Sequence, residues 1–389
     1  MSAISPRRES LAGAASAWLS PGAEGGTLLP VAILLGLGVV MSYSATAPLA
    51  LDTRLPPHFL RHLGAVILGG LAAFGVARVP LAVWRRGALP LWIAGVALMV
   101  ATAAFGVEVN GAQRWLALPG GPRFQPGELV KLVTLVAAAA VLSRRAEGRE
   151  LARGHALAAV LLALVPALLL LDQPDLGGAV VLLGLVWLML VAAGLPWRLW
   201  LGPVLTAPLG VGLYAWTNPY AWRRLVAFWD PWADARDAGF QLVQSFLAFA
   251  QGGLTGVGLG NGRQKLFYLP EAHTDFILAL VAEELGLVGV LVVLLAFAAL
   301  CAAGLRIARR SSDRFGLLLA FGMTGLVTLP AAVNAAVVMG LLPTKGLTLP
   351  FLSYGRTSLI ASCVALGLVW RVAREANALP VGQRRPRWR

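Results

Sequence analysis

Charge is scarce in this chain. Only 13% of its 389 residues are Asp, Glu, Lys or Arg, whereas 58% are hydrophobic, and the mean hydropathy is +0.76. A soluble domain of this length needs far more charge to cover its surface, so lipid is the solvent that fits. Cysteine is nearly absent. Cys301 and Cys363 fall inside or at the end of apolar runs, which excludes a disulfide framework or zinc spacing and leaves small packing residues. No soluble module carries a basic face, so nucleic acid is not an expected partner despite the net charge of +14. No convincing small-residue cleavage site follows the first apolar run, Leu28–Val40, and no cleavable signal peptide is expected.

What is present is a series of apolar runs of the length a bilayer demands, about 20 residues each. They fall near 28–47, 58–77, 88–106, 127–143, 155–171, 176–194, 198–216, 275–303, 316–340 and 350–373. The expected fold is therefore an all-α integral membrane protein of about ten transmembrane helices, rich in small residues that let helices approach closely. Residues 1–27 and 376–389 read as polar, basic cytoplasmic tails, and 28–375 as the transmembrane domain. Arg78, Arg85, Arg86, Arg144, Arg145, Arg149, Arg153, Arg198, Arg306, Arg309, Arg310 and Arg314 all fall between runs on one side. By the positive-inside rule that side is cytoplasmic, with both termini. A long extracytoplasmic loop, 217–274, lies between helices 7 and 8. Within it, Phe240–Gln251 has apolar residues at helical spacing and is expected along the membrane surface.

The sharpest cluster of chemistry closes that loop: Tyr268-Leu269-Pro270-Glu271-Ala272-His273-Thr274-Asp275-Phe276. Asp275 at the start of a helix has two readings, a general base acting on a sugar hydroxyl or a simple N-terminal cap. Glu283 and Glu284 lie roughly 12 Å further along the same helix, at a rise of about 1.5 Å per residue. They read either as a functional pair or as buried partners of a cation. Glu128 and Lys131 share a helix face after Phe124-Gln125-Pro126 and are placed to pair, as a structural ion pair or facing a lipid pyrophosphate. The glycine run from Gly253 to Gly262, with Arg263 and Lys265, has backbone N–H groups to cradle phosphate or simply to turn tightly. It lacks the Gly-Lys-Ser/Thr ending of a P-loop and the strand of a dinucleotide fold. Arg223, Arg224 and Lys345 are cations on the outer side, against the usual bias; an anionic ligand or the carboxylates Asp172, Asp175 and Glu271 would account for them.

Several separated motifs together resemble the SEDS family of bacterial cell-wall polymerases. They are Asn110-Gly111 with Arg114-Trp115, Phe124-Gln125-Pro126 with Glu128, and Gln173-Pro174-Asp175-Leu176-Gly177. Then come Arg223-Arg224, Trp229-Asp230-Pro231-Trp232, Gly239 to Ser245, Gly258 to Leu266, Pro270 to Phe276, Leu342 to Gly346 and Ser353-Tyr354-Gly355. The form Asn261 with Gln264-Lys265-Leu266 resembles the cell-division branch more than the elongation branch. Gly127 stands where the family usually has Ser, and Arg356 where it has Gly. The resemblance implies a glycosyltransferase that polymerises lipid II, with Asp275 as catalytic base. It implies substrate contacts from Arg114, Glu128, Lys131, Arg223, Arg224, Gln241, Gln244, Ser245, Lys265, Glu271, His273, Lys345 and Ser353. No cofactor is implied with certainty; a divalent cation, Mg or Mn, is compatible with pyrophosphate release. The implied partners are a class B penicillin-binding transpeptidase and other division proteins, in the bacterial inner membrane at the septum. Two rival functions stay in view: a lipid II flippase using Glu283, Glu284 and Lys131 as its path, and a non-catalytic scaffold.

Overall fold

The computed structural model describes residues 25–49, 55–109, 112–117, 123–144, 153–196, 199, 201–344 and 346–378. Each apolar run expected to span finds a helix there. They are α1 (Gly25–Thr46), α2 (Pro57–Val76), α3 (Leu81–Phe105), α4 (Pro126–Leu142), α5 (Arg153–Asp172) and α6 (Leu176–Ala192), followed by α7 (Leu201–Thr217). After two further helices, α8 (Pro219–Trp229) and α9 (Phe240–Gly252), come α10 (Ile277–Arg310), α11 (Arg314–Val338) and α12 (Arg356–Ala378). Seven of these, α1, α2, α3, α5, α10, α11 and α12, are long and apolar enough to cross a bilayer. The other three expected spans, α4, α6 and α7, have 17 residues each, roughly 25 Å of helix. A small antiparallel sheet of β1 (Val107–Val109), β2 (Ala112–Ala117) and β3 (Arg123–Phe124) links α3 to α4. The terminal tails, Asn110, Gly111, Arg145, Arg149, Arg198 and Lys345 lie outside the described residues.

The centre of the bundle is α4, α10, α11 and α12, whose buried faces are nearly all apolar or small. Burial of that kind inside lipid is won by close contact rather than by escape from water. The α2–α12 seam illustrates it: Ala65, Gly69 and Ala73 face Leu359, Cys363 and Gly367, and a side chain on Gly367 would collide with the Ala73 carbonyl. By contrast α7 packs chiefly on α8 and stands away from the bundle core.

The ends of the bundle differ in charge, as the arginine placement predicts. At one end the Arg314 guanidinium donates to the Ala193 carbonyl, and the Glu375 carboxylate accepts from the Leu81 N–H and from Arg371. The arginines closing α10, Arg309 and Arg310, belong to the same end. The opposite end gathers the finish of α1, α3, α5 and α11 and the start of α2, α4, α6, α10 and α12.

The long segment between α7 and α10 holds α8, α9 and a π-helical turn, Gln264–Tyr268. The helical spacing read in Phe240–Gln251 is met by α9, which packs on protein. Leu242, Val243, Ser245, Ala248 and Gly252 form a buried face against α10, and the Ser245 hydroxyl donates to the Val338 carbonyl at 2.7 Å. A helical stretch with two glutamines on its other side satisfies its apolar face on protein as readily as on lipid.

Candidate active site

Asp275 lies just before α10 in a tight turn that spans Pro270 to Phe276. Glu271, a non-glycine residue at φ 56°, bends the chain there through the left-handed region. The cap reading fails: the first helical residue is Ile277, its cap is Phe276, and no side chain caps the helix. No hydrogen bond from a described residue reaches the Asp275 carboxylate, which is partly exposed.

Its surroundings raise its pKa to about 7. Desolvation is the largest cause, followed by the like charge of Glu271; Arg224 and Arg114 pull the other way, and Asp175 adds to the rise. A carboxyl group held near neutrality, with no bond from a described residue and within electrostatic reach of two guanidinium groups, is suited to accept a proton from a hydroxyl. Gly346 forms the facing wall; a Cβ there would sit 3.3 Å from Asp275 Oδ2.

Several expected residues join this neighbourhood. Arg114 is held by the carbonyls of Gln173 (2.6 Å) and Pro174 (2.7 Å), which fixes the guanidinium near the turn before α6. Asp175 caps α6 through the Gly178 N–H and lies within electrostatic reach of both Asp275 and Lys131. Lys131, buried, pairs with Glu128 at 2.8 Å, as their spacing predicts. Glu271 accepts from the Thr274 hydroxyl at 2.7 Å. The His273 ring packs against Tyr354 and His58, and burial lowers its pKa. Ser353 is buried; its hydroxyl donates to the Thr274 carbonyl (2.6 Å) and accepts from the Leu349 N–H. It thus supports the turn from beneath.

Other expected residues are placed elsewhere. Arg223 reaches Asp237 at 3.9 Å, both side chains largely in solvent, a geometry of little energetic weight. Gln241 and Gln244 are half-buried on α9, and Ser245 beside them is spent on the α11 contact. Lys265 is not a free outer cation. Its ammonium is buried between Glu284 Oε1 (2.7 Å) and the Ser44 hydroxyl (2.8 Å). The reason is the glycine run, which cradles carboxylates of its own chain rather than a phosphate. Gly260 N–H donates to Glu284, and Arg263 and Gln264 N–H donate to Glu283. The α10 backbone breaks at Gly286 (φ 67°, ψ −165°) to receive this loop, and Gly256 lies so close to the break that a side chain on Gly286 would strike its N–H. Glu283 and Glu284 are therefore the buried partners of a cation and of backbone donors.

One residue of the site has no counterpart in the motif reading. Asn334, buried on α11, donates to the Asp275 carbonyl (2.7 Å) and to the Leu347 carbonyl (2.6 Å). The available signal was an amide inside an apolar span, where polar groups are costly. Among the described residues no three metal-ligating side chains gather, so these residues do not by themselves fit a divalent ion.

Known proteins resemble this chain over most of its length. Residues 27–378 match the family model FTSW_RODA_SPOVE, described as "Cell cycle protein". A probable peptidoglycan glycosyltransferase FtsW of Nitrosococcus halophilus is 44% identical over 361 residues, covering 90% of this chain and 92% of its own. A protein of the same description from Geobacter sp. strain M18 is 42% identical over 350 residues, covering 89% and 95%. Among solved structures, a chain from a study of how a peptidoglycan synthase complex coordinates polymerization and crosslinking superposes at TM-score 0.75. It is 34% identical and the match covers 91% of this chain and 98% of that one. The Thermus thermophilus rod shape determining protein RodA superposes at 0.66 with 33% identity, covering 90% and 96%.

Proposed function

The chain belongs to the FtsW–RodA–SpoVE family of cell cycle proteins, and from that footing we propose that it is a membrane-embedded peptidoglycan glycosyltransferase polymerising lipid II during septal cell-wall synthesis. The observation that carries the chemistry is Asp275, a carboxylate near neutrality that no described residue bonds, within electrostatic reach of Arg114 and Arg224.

In this mechanism Asp275 takes the proton from the 4-hydroxyl of the acceptor's N-acetylglucosamine. The freed oxygen attacks the anomeric carbon of the donor's N-acetylmuramic acid. The bond to undecaprenyl pyrophosphate breaks with inversion, and the leaving group departs as an anion that needs no protonation by a second carboxylate. Arg114 and Arg224, which act electrostatically on Asp275, would balance the departing charge, with Lys131 held in its pair with Glu128 nearby. No step here is routed through a metal ion.

The partner is a class B penicillin-binding transpeptidase, alongside other division proteins; the likeness to a subunit of a synthase complex supports it. The protein sits in the bacterial inner membrane with both tails in the cytoplasm, concentrated at the septum. The flippase reading loses its path, because Glu283 and Glu284 are occupied by backbone donors and Lys265.

The deciding experiment incubates the purified complex with labelled lipid II. Polymer is expected from the native chain and from Glu283→Gln, and none from well-folded Asp275→Ala. Polymer from Asp275→Ala, or lipid II movement across vesicles with no polymer from the native complex, rejects the assignment. A scaffold would still support division as a folded, partner-bound Asp275→Asn variant.

A further inference from the structure

We propose that Asn334 is a positioning residue of this reaction, holding the Asp275 main chain so that its carboxylate stays unbonded and aimed at the acceptor hydroxyl; this rests on Asp275 being the base.

Asn334 lies near the outer end of α11, buried among apolar neighbours. Both of its amide protons are used, one on the Asp275 carbonyl and one on the Leu347 carbonyl. Carbonyl oxygens only accept, so the amide nitrogen must face them and the orientation of the side chain is not open to a flip. Among the described residues no donor reaches its Oδ1.

The Asp275 carbonyl has no partner within its own helix. The Ala279 N–H, which would serve it in a regular turn, donates to Phe276 instead. Asn334 supplies what the helix does not. The two preceding carbonyls are held from the other side: Thr274 by the Ser353 hydroxyl and His273 by the Tyr354 N–H at 2.8 Å. Three successive main-chain carbonyls, 273 to 275, are thus anchored to α11 and to the segment before α12. None of these bonds touches the Asp275 carboxylate. The second bond of Asn334, to Leu347, holds the neighbour of Gly346, the wall that stands against that carboxylate. One amide therefore sets both the base and the surface facing it. Misplacing a catalytic group by about 1 Å costs on the order of 100-fold in rate.

The test uses the full chain with its transpeptidase partner. Asn334→Leu keeps approximate shape and burial but removes both donors; Ser353→Ala removes the companion bond. Each variant is assayed for kcat, KM for lipid II, the pH dependence of kcat and thermal stability. Asn334→Leu is expected to lower kcat by about ten-fold or more while KM changes less than about three-fold. Its acid limb is expected at lower pH than that of the native chain, because a loosened turn admits water to Asp275. Ser353→Ala is expected to move both readouts in the same directions by a smaller factor. Native kcat and an unmoved acid limb in Asn334→Leu overturn the proposal. So does a loss that merely tracks the folded fraction while the surviving activity keeps the native limb. If Asn334→Leu does not fold, Ser353→Ala decides by whether its limb moves. Activity surviving in Asp275→Asn would instead reject the base assignment, which separates the two failures.

Discussion

Asp275 illustrates how one side chain acquires a function from what its neighbours withhold. No described residue donates to its carboxylate, burial raises the cost of its charge, and Glu271 and Asp175 repel that charge more than Arg114 and Arg224 relieve it. On the proposed assignment Asp275 acts as a base only when deprotonated, and its pKa of about 7 places that change at neutral pH. Polymerisation measured with saturating lipid II is therefore expected to rise as pH increases through about 7 and to level off above it. Replacing Glu271 with Gln removes one of the causes of the rise and is expected to move this limb to lower pH. A flat profile between pH 5 and 8 would contradict the assignment. The identity of Asp275 was legible through the motif around it, but its environment was not. Asn334 stands alone in an apolar run, and nothing in the spacing of residues ties it to a turn 59 positions earlier.

Among the elements, the glycine loop and the broken α10 form a unit. The loop gives its N–H groups to Glu283 and Glu284, and Lys265 neutralises Glu284 out of water. A buried ion pair is costly to break from one side, by about 3–5 kcal/mol, because the remaining charge is stranded. Lys265→Met is thus expected to lower the melting temperature of the detergent-solubilised protein sharply. The double variant Lys265→Met/Glu284→Gln is expected to recover part of the loss. An unchanged melting temperature in the single variant would show that the pair does not stabilise the loop. The helices were readable from hydropathy, since a bilayer imposes their length. The cradle was not, since backbone donors on a glycine run serve a phosphate and a carboxylate alike, and only the fold reveals that Glu283 and Glu284 return to them. The same limit explains Lys265, whose charge reads identically whether it faces a ligand or a buried acid.

The molecule as a whole is polarised: the end that carries Arg309, Arg310, Arg314 and Arg371 lies opposite the end that carries the candidate site. In a variant with Cys301 and Cys363 replaced by Ala, single cysteines report the two faces. Arg236→Cys is expected to react with an impermeant maleimide in intact spheroplasts, and Arg309→Cys only after permeabilisation. The reverse pattern would put the site on the cytoplasmic face and remove its access to outer-leaflet substrate.

The anchoring of the Asp275 turn by α11 and by the stretch before α12 also bears on biogenesis. Translation delivers Asp275 well before Asn334 and Ser353, which arrive with the last two helices. A nascent chain stalled after α10 already displays the acid outside the membrane yet has nothing to hold it. On the proposed assignment, a chain truncated before the last two helices is expected to be inactive, because neither Asn334 nor Ser353 is there to anchor the turn.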